Sequence, residues 1–138
     1  MSVYLSADLQ GRLAQADNRH CAYCHTKEAN TGQPMSVDHI WPRAPGGLTV
    51  FENLCFACRQ CNEFKGSQTR AEDPLSGATA MLFHPRQQVW AEHFAWAETG
   101  VSLVGLTPPG RATILALKIN HPVIVAARRR WVSVGWHP

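Results

Sequence analysis

Cys21-Ala22-Tyr23-Cys24 opens, and Cys58-Arg59-Gln60-Cys61-Asn62-Glu63-Phe64-Lys65-Gly66 closes, the stretch on which the reading of this chain turns. Between them lie Val37-Asp38-His39-Ile40-Trp41-Pro42 and Asn53-Leu54. Two residues between cysteines let a tight turn aim both sulfurs at one ion, so Cys21, Cys24, Cys58 and Cys61 together suit a tetrahedral structural Zn²⁺ site. The segment they bracket is rich in oxygen and nitrogen donors and suits a second, harder metal. Cys55 makes Cys55-x-x-Cys58 a competing knuckle. We favour Cys58 and Cys61, because position 55 falls in a strand pattern, and we read Cys55 as a small core residue. His20 and His25 flank the first knuckle as possible substitute ligands, with a place outside the ligand set preferred.

Working outward, Ser6 caps a helix whose apolar positions Leu9, Leu13 and Ala16 recur at helical spacing to about Asp17. Residues 25–35 read as a loop broken by Gly32 and Pro34. Met35 to Ile40 and Asn53 to Ala57 read as strands, the second with Leu54 and Phe56 on one face and Cys55 and Ala57 on the other. Cys58-x-x-Cys61 then hands over to a short helix stopped near Gly66, giving the order strand, loop, strand, helix. Residues 66–80, rich in Ser, Thr, Gly and Asp, read as a linker or extended wrap. A hairpin is expected around Glu98-Thr99-Gly100, then a helix from Thr107-Pro108 to about Ile119 with Asn120 as its stop, and a last helix from Pro122 to about Val134.

At 138 residues the chain suits one folded unit, small enough for a structural metal to matter. We divide it into residues 1–66, an N-terminal helix and zinc-stapled core, and residues 67–138, an extension packed on it. Thirteen Lys plus Arg against ten Asp plus Glu give a net charge of +3, compatible with a polyanionic partner without demanding one. Five cysteines, four of them in x-x pairs, fit reduced thiolates on a metal better than disulfides. Neither a signal peptide nor an apolar run of membrane-spanning length is evident, and the expectation is a soluble, cytoplasmic protein without a membrane partner.

Asp38-His39-Ile40-x-Pro42, Gly46-Gly47, Asn53-Leu54 and Cys58-x-x-Cys61-Asn62-x-x-Lys65-Gly66 together resemble an HNH endonuclease with a four-cysteine zinc site. The resemblance covers about forty-five residues; His39 to Asn53 is fourteen positions and Asn53 to Asn62 nine. The third signature position holds Asn62 in place of His, as in the His-Asn-Asn variants of that family. The implied fold is α+β, a ββα-metal (His-Me finger) nuclease core, here with a C-terminal β-hairpin and two-helix extension. The pieces Leu82-Phe83-His84-Pro85-Arg86 and Gly105-Leu106-Thr107-Pro108 resemble an extension of some small bacterial HNH proteins. The implied activity is metal-dependent hydrolysis of DNA phosphodiesters, leaving a 5′-phosphate and a 3′-hydroxyl.

Phosphodiester hydrolysis needs a water deprotonated near neutral pH and a cation to neutralise charge on phosphate and leaving oxygen. His39 titrates in the right range for the general base. Asp38 and Asn62 supply oxygen ligands for one Mg²⁺ or Mn²⁺. Neighbouring strand residues face opposite ways, so Asp38 and His39 both serve one phosphate only if the strand bends or ends before Pro42. Asn53 fits an orienting role, its amide bridging backbone groups of the loop and fixing the His39 imidazole. Lys65, Arg43, Arg111, Arg128, Arg129 and Arg130 are candidate nucleic-acid contacts; the last three fan around a helix, so one of them is expected to cover the core. Trp90, Phe94, Trp96, Trp131 and Trp136 are expected mainly in the core. His84, His93, His121 and His137 are read as structural. The rival function is a non-catalytic zinc-knuckle module that binds nucleic acid or a protein.

Overall fold

The computed structural model describes residues 5–43 and 46–138. Helix α1 (Ala7–Asp17) starts where Ser6 accepts a hydrogen bond from the Leu9 amide, and ends where Asn18 turns left-handed. A single turn of helix, α2 (Glu28–Thr31), interrupts the loop expected over residues 25–35. Strands β1 (Ser36–His39) and β2 (Leu54–Ala57) pair antiparallel, with Ser36 opposite Ala57 and His39 opposite Leu54. A 3₁₀ turn, Phe51–Asn53, leads into β2. Helix α3 (Arg59–Lys65) follows at once, capped by the Cys58 sulfur, which accepts from the Cys61 amide.

Cross-strand partners share a face of a sheet, so the register sorts the hairpin's side chains into two sets. Leu54 and Phe56 face α1 and pack with Leu13, which is fully buried and contributes on the order of 1.5–3 kcal/mol. Cys55 and Ala57 face the other way, into a larger cluster with Tyr23, Ile40, Phe83, Phe94, Leu103 and Leu117. That cluster draws on residues from both sides of position 66.

The linker expected over 66–80 is instead a hairpin of β3 (Arg70–Glu72) and β4 (Thr79–Met81). Its strands are three residues long, too short for alternation to show in the sequence, and its order comes from Asp73. That carboxylate is fully buried, accepts from Leu75 N and Ser76 Oγ within the turn, and takes the guanidinium of Arg111 at 2.8 and 3.0 Å. The Arg111 hydrogen bonds hold it well below the usual carboxylate range.

A short helix, α4 (Trp90–His93), precedes the hairpin of β5 (Phe94–Trp96) and β6 (Leu103–Gly105). Helix α5 (Pro108–Ala116) has Thr107 as its cap and proline in its first turn, and α6 (Pro122–Ser133) repeats the device with His121 as the cap. Helix α5 ends three residues before the expected Ile119. Asn120, expected only as a stop, donates to Leu103 O and accepts from Leu103 N at 2.9 and 2.8 Å, acting as one more strand residue beside β6. Among the described residues no helix is long and apolar enough to cross a membrane.

Candidate active site and metal centre

The first knuckle is held from three sides. Cys24 N donates to Cys21 Sγ, Ala22 N donates to Phe56 O on β2, and the Trp90 indole donates to Tyr23 O. The second knuckle repeats the first contact, Cys61 N donating to Cys58 Sγ at 3.4 Å. The four sulfurs of Cys21, Cys24, Cys58 and Cys61 lie within 4.8 Å of one another and all four residues are buried. Zinc–sulfur bonds of about 2.3 Å in a tetrahedron put sulfurs roughly 3.8 Å apart. Cys24 and Cys58 sulfurs are 3.7 Å apart, so the donor set fits Zn²⁺. Without an ion, hydrogen bonds from the other thiols pull the Cys24 thiol down, burial holds Cys21 up, and hydrogen bonding to its neighbours holds Cys61 up.

Cys55 stays outside the cluster, buried on β2 opposite Asp38, its thiol pushed up by burial. Neither His20 nor His25 joins the sulfurs. His25 stacks on Trp90 with ring centroids 3.8 Å apart, and burial pushes it down to about 4.

Strand β1 ends at His39, and the two neighbours Asp38 and His39 do face opposite ways. Asp38, opposite Cys55, is 5% exposed. Its Oδ2 accepts from the Tyr23 hydroxyl at 2.7 Å, and the Lys65 ammonium lies 3.1 Å from Oδ2 and 3.3 Å from Oδ1. Burial raises its pKa, against the Lys65 charge and the Tyr23 hydrogen bond. His39, opposite Leu54, is half-buried, with Nε2 2.9 Å from Thr49 Oγ1. Burial lowers its pKa; Asp38 opposes this, while Arg43 and Lys65 add to it. The imidazole is therefore biased towards the neutral form that a base requires.

Asn53 ties down the segment between the strands. Its Oδ1 accepts from Trp41 N at 2.8 Å, and its Nδ2 donates to Trp41 O at 2.9 Å and Leu48 O at 2.8 Å. The Ile40 amide donates to Asn53 O. Gly47 is needed here because a Cβ would collide with the carbonyls of Trp41 and Pro42. Asn62 lies on α3, which packs on β1, and its half-buried side chain makes no hydrogen bond among the described residues. Asp38 and Asn62 each carry a hard oxygen donor, of the kind that Mg²⁺ and Mn²⁺ take. A carboxylate has about four lone-pair directions, so Tyr23 and Lys65 leave Asp38 acceptor capacity.

Three of the expected nucleic-acid contacts, Lys65, Arg128 and Arg111, are engaged within the fold instead. Lys65 is 1% exposed and also donates to His39 O at 3.1 Å and Ile40 O at 3.2 Å, so its charge neutralises Asp38 and pins the end of β1. Arg128 is fully buried, donates to Val101 O and lies over the Trp96 ring. It is the one of its triplet that covers the core; Arg129 and Arg130 are exposed, as is Arg43. Arg111 is committed to Asp73. Of the aromatic residues, Phe94 is buried, Trp90 and Trp96 pack against the core, and Trp136 is 56% exposed.

One cluster was missed. Asp17 accepts from both Arg86 terminal nitrogens at 2.8 Å and from Phe56 N, and Arg86 Nε donates to Leu54 O, joining α1, β2 and the extension. An acid in the last turn of a helix opposes the helix dipole, and that was the available signal. A cavity of about 470 Å³, lined in part by Trp41, Leu48, Val50, Met81 and Phe83, adjoins Asn53, but Asp38, His39 and Asn62 lie outside it. Residues 21–73 match the family model described as HNH endonuclease. No curated protein and no solved structure matches the chain.

Proposed function

We propose, on the premise that residues 21–73 are an HNH endonuclease domain, that this chain is a metal-dependent nuclease hydrolysing DNA phosphodiester bonds. The observation that carries the reading is the register of β1 and β2 with α3, which sets His39, Asn53 and Asn62 on one strand–loop–strand–helix unit stapled by the four cysteines.

His39 is the general base, accepting the proton of an attacking water on the imidazole nitrogen that now faces Thr49 Oγ1. Asn53 keeps the loop after His39 in place through its three hydrogen bonds to backbone. Asp38 and Asn62 would hold one Mg²⁺ or Mn²⁺, which would neutralise charge on the phosphate and the leaving oxygen. His39 and Asn62 are half-buried and lie outside that cavity, which suits the backbone of a polymer better than an engulfed small molecule. The exposed Arg43, Arg129 and Arg130 are the phosphate-contact candidates that remain.

A non-catalytic zinc-knuckle binder is the second reading, favoured by one feature: Asp38 is buried and already engaged by Tyr23 and Lys65. A plasmid-nicking assay with Mg²⁺, Mn²⁺ or EDTA, run beside His39→Ala, separates the two. Cleavage that needs the ion and His39 supports the nuclease; DNA binding without ion-dependent cleavage defeats it.

A further inference from the structure

Tyr23 belongs to the zinc knuckle by sequence and to the proposed catalytic carboxylate by contact. It sits between Cys21 and Cys24, is fully buried, and donates its hydroxyl to Asp38 Oδ2 at 2.7 Å. The knuckle backbone that carries it is fixed to β2 through Ala22 N and Phe56 O, and to α4 through the Trp90 indole. Asp38 is delivered from β1 to the same face by its register opposite Cys55. Two separately built elements thus meet at one short hydrogen bond in a dry setting.

We propose that Tyr23 is a positioning residue through which the folded zinc knuckle orients Asp38 for the catalytic metal. The proposal rests on the nuclease reading above, in which Asp38 is a ligand. A carboxylate on a short side chain rotates about its terminal bond; a donor on one oxygen fixes that rotation and leaves defined lone pairs for an ion. Lys65 supplies charge compensation but reaches both oxygens at 3.1 and 3.3 Å, so it distinguishes them weakly. The hydroxyl at 2.7 Å selects Oδ2. The four-cysteine centre therefore does more than staple the chain: it holds the donor that aims a ligand of the second metal.

Tyr23→Phe removes only the hydroxyl and keeps the ring, and Lys65 still satisfies Asp38, so the variant retains its fold. Mn²⁺ binding to the zinc-loaded protein, read by electron paramagnetic resonance, is expected to weaken about 10- to 100-fold, the usual effect of losing a partner of a metal ligand. Zinc content stays that of the wild type. In cleavage assays the Mn²⁺ concentration for half-maximal rate rises, while the rate at saturating Mn²⁺ changes by no more than a few-fold. Placed in an Asp38→Ala background, Tyr23→Phe adds nothing further, because the group it aims is gone. If Asp38→Ala loses Mn²⁺ binding while Tyr23→Phe binds like the wild type, the positioning role is overturned and the ligand assignment stands. If Asp38→Ala itself binds Mn²⁺ normally, the ligand assignment fails, and the positioning role fails with it.

Discussion

Asp38 and His39 are adjacent in the chain, and burial disfavours the charged form of both. Burial of His39, reinforced by Arg43, disfavours its charged form. In metal-free protein its imidazole is expected to titrate below the ordinary value of 6.5 by NMR, and Arg43→Ala, which removes a positive charge, moves that titration upward. A titration at or above 6.5 would contradict this account. As the proposed base, His39 would act only in the transition state, so His39→Ala should cost on the order of 10²- to 10⁴-fold in rate with Mn²⁺ affinity kept. Asp38→Ala should also raise the metal requirement, and loss of metal in proportion to rate in His39→Ala would make His39 a ligand instead. Lys65→Met strands a buried carboxylate, 5% exposed, without its counter-charge. Removing one partner of such a pair costs about 3–5 kcal/mol, which urea unfolding reads directly; a loss under about 1 kcal/mol would mean the pair is solvated.

At the scale of elements, the connection from β1 to β2 keeps its shape through one side chain. Asn53→Ala deletes three hydrogen bonds to Trp41 and Leu48, each worth about 0.5–1.5 kcal/mol net. Faster hydrogen exchange at the Trp41 amide, with the β2 amides still protected, is the expected signature. The segment after α6 carries the opposite feature, a polar group without partners. His137 is 5% exposed, edge-on to Trp96 at 4.4 Å, and neither ring nitrogen has a hydrogen-bond partner among the described residues. Burial, helped by the Arg128 charge, lowers its pKa. The neutral ring is thus preferred in the folded state, so its contribution to stability is complete above about pH 6.5 and is lost as pH falls through the lower folded value. His137→Phe removes both unpartnered nitrogens and the titration. Its melting temperature should match or exceed that of the wild type at pH 7, and the difference should grow in its favour at pH 5; a constant difference across that range would rule the titration out.

Across the whole molecule the two metals are expected to separate by chemistry. Mild EDTA should stop cleavage first, because hard-oxygen sites bind Mg²⁺ or Mn²⁺ weakly, while about one zinc per chain survives dialysis in the buried thiolate cage. Zinc should leave only with thiol modification or unfolding; a folded, zinc-free protein would refute its structural role. The sequence by itself determined whatever depends on local spacing. That includes the two knuckles, the caps at Ser6 and Thr107, the helix start at Pro122, the alternation of Leu54 and Phe56 against Cys55 and Ala57, and the amide of Asn53 turned to backbone. Each is set by residues a few positions apart, within reach of turn geometry and strand period. Only the tertiary structure decided the fate of charges. Lys65 pairs with Asp38 from 27 positions away, Arg111 with Asp73 from 38, and Arg86 with Asp17 from 69. A long cationic side chain is equally suited by type to solvent, phosphate or a buried carboxylate, and which it meets depends on the packing around it. For the same reason the β3–β4 hairpin, with strands of three residues and its order drawn from a distant arginine, read as a linker.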